Sequence, residues 1–280
     1  MIDTTGSNQL LGGLRVLVTR PAARAAKLSN LIQDAGGIVV RFPTLEIVGC
    51  ADNERTFGYF QRICVYDWVI FISVNAVYFS QKAYNVAKIF PARVKVAAIG
   101  RATAQALCEI GINVDLVPKQ PFNSEALLET DDMKCVKGLK CLVVRGKGGR
   151  ELLAECLRKR GAEVNFVEVY RRMKPKIDMS SVMRSWHDEG MGVVTVTSGE
   201  VLDNLVSMMG PEGLTLLRKT PLLVISPRLK AKALAMGITH VMLAREASDA
   251  EIYAALCKFK ALNTCARQFG DSDHNGSKPD

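Results

Sequence analysis

The sequence predicts an α/β protein built as two similar lobes, each a parallel sheet flanked by helices, with a cleft between them. Three observations carry this expectation. Apolar strand-like runs alternate with segments of helical spacing along the whole chain, the pattern of parallel sheets covered on both faces. The pattern occurs twice: LRVLVTR at 14–20 returns as LKCLVVR at 139–145, so Arg20 and Arg145 lie 125 positions apart (145 − 20), and WVIFIS and VVTVTS end at Ser73 and Ser198 at the same offset (198 − 73). AAIG, ending at Gly100, is echoed by LVIS, ending at Ser226. Finally, 280 residues suffice for two domains of ordinary size.

The elements follow in order. A buried strand at 14–20 leads to a helix over 24–35, with Leu28, Leu31 and Ile32 on one face and Gly36-Gly37 as its stop. A strand at 38–42 ends at Pro43, and a helix over 54–63 follows mixed sequence. Strands are expected at 68–72, 94–99 and 114–117, with helices from near Asn75 and over 102–110, and another helix capped by Ser124. The second copy brings a strand at 139–145, a helix over 150–160, a strand at 164–170 and a basic crossing segment, RRMKPK, at 171–176. Helices near 181–187, 200–209, 228–236 and 249–259 then alternate with strands at 193–197, 221–225 and 240–244, and 265–280 reads as a polar, disordered tail.

Hydrophobic residues are 48% and charged residues 23% of the chain, as in soluble globular proteins. No apolar run is long enough for a membrane span, and the first residues lack a signal-peptide pattern, so the expected location is the cytoplasm, with no membrane partner. The eight cysteines form no CxxC pair and read as reduced thiols; the histidines, His187, His240 and His274, are far apart, so no metal is expected. A net charge of +9 fits an anionic partner or solubility alone. The basic residues are scattered without a recognition motif, which argues against nucleic acid.

The strand-to-helix junctions are where ligands sit in such sheets. Each copy supplies matching ones: Thr19-Arg20 and Val144-Arg145, Ser73 and Thr197-Ser198, Gly100 and Ser226. Small or hydroxyl residues there leave amides at helix starts open to an anion; equally, the hydroxyls serve as caps. The turn RGKGGRE at 145–151 has Gly146 and Gly148 but Glu151 in place of the third glycine of a dinucleotide fingerprint, and suits a carboxylate beside Arg145 and Arg150 better. A catalytic triad, a nucleophile elbow and a helical HExxH motif are all missing.

The motifs LRVLVTRP (14–21), WVIFISVNAV (68–77), AAIGRATAQAL (97–107), LVVRGKGGRELL (142–153), GAEVNFVEVYRR (161–172), VTVTSGEVLDNL (194–205) and VISPRLKAKA (224–233), in this order and spacing, make the chain similar to uroporphyrinogen-III synthases. The family often has Thr where Ile72 stands, and Pro where Arg101 stands. The resemblance implies two α/β domains joined by two crossing segments, one of 1–41 with 175–264 and the other of 45–172, so that the first unit of each copy packs with the remainder of the other. It also implies closure of the linear tetrapyrrole hydroxymethylbilane, with loss of water and inversion of ring D, without cofactor or metal; a monomer is expected. The substrate's acetates and propionates make it a polyanion. The implied catalytic residue is Tyr170 in VEVYRR, whose plainer reading is a packed strand tyrosine. The expected substrate-binding set is Arg20, Ser73, Asn75, Gly100, Thr103 and Arg145, with Gly146, Thr197, Ser198, Ser226 and Arg228. A two-lobed polycarboxylate binder without catalysis is the alternative.

Overall fold

The computed structural model describes residues 9–50, 54–149 and 151–270. The chain divides into two compact units, Met1–Glu46 with Lys174–Asp280, and Ile47–Met173.

The first unit contains β1 (Arg15–Val18), α1 (Ala22–Asp34) and β2 (Ile38–Arg41) from the start of the chain. The second begins with β3 (Glu46–Gly49), α2 (Glu54–Gln61), a short 3-10 turn (Ile63–Val65), β4 (Trp68–Phe71), α3 (Val74–Tyr84), α4 (Val86–Ile89), β5 (Lys95–Ala98) and α5 (Arg101–Glu109). It continues through α6 (Ser124–Leu128), α7 (Asp131–Lys134), β6 (Lys140–Gly146), α8 (Leu152–Lys159) and β7 (Glu163–Met173). The chain then returns to the first unit for α9 (Ser180–Glu189), β8 (Val193–Val196), α10 (Gly199–Lys219), β9 (Leu222–Val224), α11 (Pro227–Ala235), β10 (Val241–Leu243) and α12 (Asp249–Gly270).

Each unit holds one five-stranded sheet, in the order β10-β9-β8-β1-β2 and β3-β7-β6-β4-β5. The pairs β1–β2, β1–β8, β8–β9 and β9–β10 are parallel, as are β4–β5, β4–β6 and β6–β7. Central strands are buried on both faces, and their side chains alternate between two cores. Val69, Phe71, Leu142 and Val144 pack to one side of the second sheet, and Trp68, Ile70, Cys141 and Val143 to the other. In the first sheet Leu17, Val194 and Val196 face one core while Val16, Val18 and Val193 face the opposite one. Near-continuous apolar runs are what such two-sided burial demands.

Several expectations need correction. The segment 114–117 is not a strand but a single bridge, Ala97 to Leu116, before Pro118. Asn123, not Ser124, caps α6, its side chain accepting from Ala126 N at 2.8 Å. The crossing run 171–176 is half strand, because β7 continues to Met173. The helix expected at 200–209 is followed directly by a second one: Gly210, at φ 66, breaks α10, and Pro211 opens the next segment. Residues 265–270, read as part of the polar tail, continue α12, while 271–280 and Arg150 lie outside the described residues.

Candidate functional site

In the second unit the carboxyl ends of β4, β5 and β6 open onto a cavity of about 430 Å³. Its wall includes Ile72, Ile99, Asn123, Ser124, Arg145, the turn Gly146–Gly149, Phe166, Tyr170 and Arg172. Tyr170 reaches this wall because β7 carries an irregularity. Arg145 pairs with Glu168 but Gly146 pairs with Tyr170, leaving Val169 as an extra residue. A bulge of this kind re-aims the side chains that follow it, and here Val167, Val169 and Tyr170 all join one core.

The ring of Tyr170 lies against Gly146. A Cβ on Gly146 would stand 2.5 Å from Cε2 and Cζ of that ring, so only glycine fits. Phe79 stacks on Tyr170 at a centroid distance of 5.8 Å. The Tyr170 carbonyl accepts from Lys147 N at 2.7 Å. The phenol oxygen lies 3.1 Å from Ser73 Oγ. Ser73 caps α3, its hydroxyl also accepting from Ala76 N at 3.1 Å. Tyr170 lines the cavity although only 4% of the residue is exposed.

Arg145 is buried beneath the same turn. Its Nη2 donates to Glu151 Oε1 at 2.8 Å and to Glu168 Oε1 at 3.2 Å, Nη1 donates to the Gly149 carbonyl at 3.3 Å, and the guanidinium lies 3.8 Å from the Phe166 ring centroid. The neighbouring Cys50 thiol is pushed above its ordinary value, chiefly by burial and then by the charge of Glu168.

The other expected residues are placed as follows. Gly100 is buried at the start of α5, where a Cβ would meet Phe122 at 2.9 Å, and Thr103 is buried one turn along. Asn75 is half-buried in the first turn of α3. In the first unit, Ser198 and Ser226 cap α10 and α11, accepting from Val201 N at 3.2 Å and Leu229 N at 3.3 Å. Thr197 is half-buried before Ser198, and Arg228 is exposed in the first turn of α11. Arg20 is ion-paired with Asp249 at the start of α12. The three serines therefore bind the amide of the third helical residue, while helix geometry leaves the first two amides without an intrahelical acceptor. Pro227 removes one of these at Ser226, so α11 offers only Arg228 N.

Sequence reasoning missed Asn123, Phe166, Lys147 and Arg172 as parts of the cavity wall. Asn123 was detectable, since asparagine caps helices as well as serine does. The bulge left no sequence signal. Among the described residues, His, Cys, Asp and Glu form no cluster of three or more able to hold a metal, and no helix is long and apolar enough to cross a membrane.

A family model described as uroporphyrinogen-III synthase HemD matches residues 26–254. The uroporphyrinogen-III synthase of Salmonella typhimurium is 32% identical over 246 residues, covering 87% of this chain and 100% of that protein. The Escherichia coli protein of the same name is 30% identical with the same coverage. Among solved structures, uroporphyrinogen-III synthetase from Helicobacter pylori superposes with a TM-score of 0.57 at 14% identity, covering 90% of this chain and 99% of that one. A Thermus thermophilus uroporphyrinogen III synthase gives the same score at 15% identity, covering 90% and 100%.

Proposed function

The chain belongs to the uroporphyrinogen-III synthase family, and from that premise we propose how its residues carry out the reaction. The enzyme is a cyclising lyase that closes hydroxymethylbilane to uroporphyrinogen III, releasing water and inverting ring D. Family membership sets aside the reading of a non-catalytic polycarboxylate binder. We further propose that it acts as a monomer in the cytoplasm without a cofactor.

Tyr170 is the group that assists departure of the substrate hydroxyl. The observation that carries this role is the contact of its phenol oxygen with Ser73 Oγ, Tyr170 itself being part of the cavity wall. Ser73 accepts from Ala76 N, and in the proposed arrangement it donates its own proton to the Tyr170 oxygen. The phenol proton is then left for the leaving oxygen, and a donor that itself receives a hydrogen bond is a stronger donor. The leaving hydroxyl departs as water while the substituted carbon of ring D attacks, giving the spiro intermediate. The walls around Tyr170 favour that attack over direct closure by orienting the chain.

The carboxylates are held mainly by backbone. The first amides of α3, α5, α10 and α11 serve as anion seats, each contributing roughly 0.3–1 kcal/mol. Asn75, Gly100, Thr197, Ser198, Ser226 and Arg228 lie at these starts, and Lys147 and Arg172 add exposed positive charge beside Tyr170. Thr103, in the first turn of α5, is only 4% exposed.

The test is Tyr170→Phe, assayed with hydroxymethylbilane for rate and for product isomer. The ring and its stacking on Phe79 persist, so folding is expected to be normal. kcat should fall well over tenfold, in line with about a hundredfold for a general acid, and the product should shift to the uninverted isomer. Full turnover with full isomer purity would reduce Tyr170 to a packing residue.

A further inference from the structure

We infer that Arg145 is a positioning residue for Tyr170 rather than a seat for the substrate's carboxylates, an inference that rests on the catalytic reading of Tyr170 above. Arg145 is 6% exposed: it contributes to the cavity wall, but little of its surface is open to a ligand. It joins three segments at once: the end of β6, the turn through the Gly149 carbonyl and Glu151, and β7 through Glu168. Those last two partners are carboxylates, so a substrate carboxylate would have to compete with charges already in place.

The joined segments are the ones that fix the phenol. Arg145 immediately precedes Gly146, whose missing Cβ receives the Tyr170 ring. Glu168 precedes the extra residue that turns Tyr170 toward Ser73. Lys147, next along the turn, donates its amide to the Tyr170 carbonyl. Phe166 supports the guanidinium from one side, and the planar fork is what allows stacking and several bonds together. Lysine at this position would keep the charge but lose both the plane and the fork. The geometry therefore makes Arg145 the pin that sets the separation between the glycine turn and the bulge, and with it the aim of the phenol.

A kinetic cycle tests this. Arg145→Lys, Tyr170→Phe and the double variant are compared in the full chain for kcat, KM and isomer ratio, with thermal unfolding to confirm the fold. A positioning role predicts that Arg145→Lys lowers kcat roughly tenfold or more, leaves KM within about twofold, and raises the uninverted isomer. The double variant should be no slower than Tyr170→Phe alone, because there is no donor left to aim. If Arg145→Lys does not fold, Glu168→Gln and Glu151→Gln serve instead, each removing one carboxylate from the pin; each should lower kcat without raising KM. A rise in KM with kcat preserved would make Arg145 a substrate contact and overturn the inference. Losses that multiply in the double variant would overturn it too, as they mark independent roles. Should Tyr170→Phe alone be fully active, the catalytic reading fails instead, and the two failures are told apart by that single variant.

Discussion

Gly146 shows how one residue without a side chain sets the chemistry. Its backbone φ is not in the left-handed region, so the need for glycine comes from the close approach of the Tyr170 ring alone. Gly146→Ala places a methyl group where the ring now lies. Overpacking of this kind typically costs about 1–3 kcal/mol, and the ring can escape only by leaving Ser73. The expected outcome is a folded protein with lowered thermal stability and a drop in kcat comparable to that of Tyr170→Phe; unaltered turnover would mean that the ring position is not critical. At this scale the sequence was a partial guide. The pairing of Ser73 and Ser198 was readable from the repeat, and the strand position of Tyr170 from the run 164–170. The partners were not: the carboxylates on Arg145, the Asp249 that takes Arg20, and the contact between Ser73 and Tyr170 join positions far apart in the chain, which spacing cannot reveal. Both repeated arginines thus turn out to be engaged within their own unit.

Among the elements, strands were legible and their irregularities were not. β4, β6 and β8 are central and buried on both faces, so their apolar runs were nearly unbroken. The short edge strand β3 has an exposed-intermediate pattern and gave no such signal. The bulge in β7 arises from pairing with β6, a tertiary event. β6 also carries a titration prediction. Burial raises the Cys141 thiol from an ordinary 9.0 to about 12. The folded state therefore keeps this proton at pH values where the unfolded chain loses it, and the unfolded chain is favoured by that loss. The stability contributed by the neutral buried thiol is complete below pH 9 and is lost progressively as pH rises toward about 12. In Cys141→Ala, the wild-type advantage in unfolding free energy should shrink over this interval, whereas a constant difference would contradict the shift. At pH 8, thiol reagents should label the exposed Cys64, Cys108 and Cys135 in the native protein and spare Cys141.

On the scale of the whole molecule, the duplication is visible in the strand order. β10-β9-β8-β1-β2 has its counterpart in the Leu116 bridge followed by β5-β4-β6-β7, with β3 added at the edge. β1 answers β6, and β8 answers β4, as the repeated sequences require. The exchange has a further anchor: Thr44, buried just after β2, donates to the Val201 carbonyl and accepts from Asn204, both on α10.

The place of β1, seated between β2 and β8, has a consequence for the order in which the protein is made. A ribosome releases residues 1–46 first, yet the central neighbour of their strand, β8, emerges only after the whole of Ile47–Met173. The early segment must wait with the apolar faces of β1 and α1 uncovered, while the continuous middle of the chain already contains every strand of its own sheet. Contacts so distant in sequence form slowly, and waiting apolar segments are prone to aggregate. In refolding followed by pulsed hydrogen exchange, the amides of β4 and β6 should gain protection before those of β1 and β8. Simultaneous protection of both sets would mean that the two units fold as one. If the order holds, a nascent chain of this protein is most exposed to misassembly just before β8 leaves the exit tunnel, and a chaperone that shields its first strand and helix would raise the yield of native enzyme most at that point.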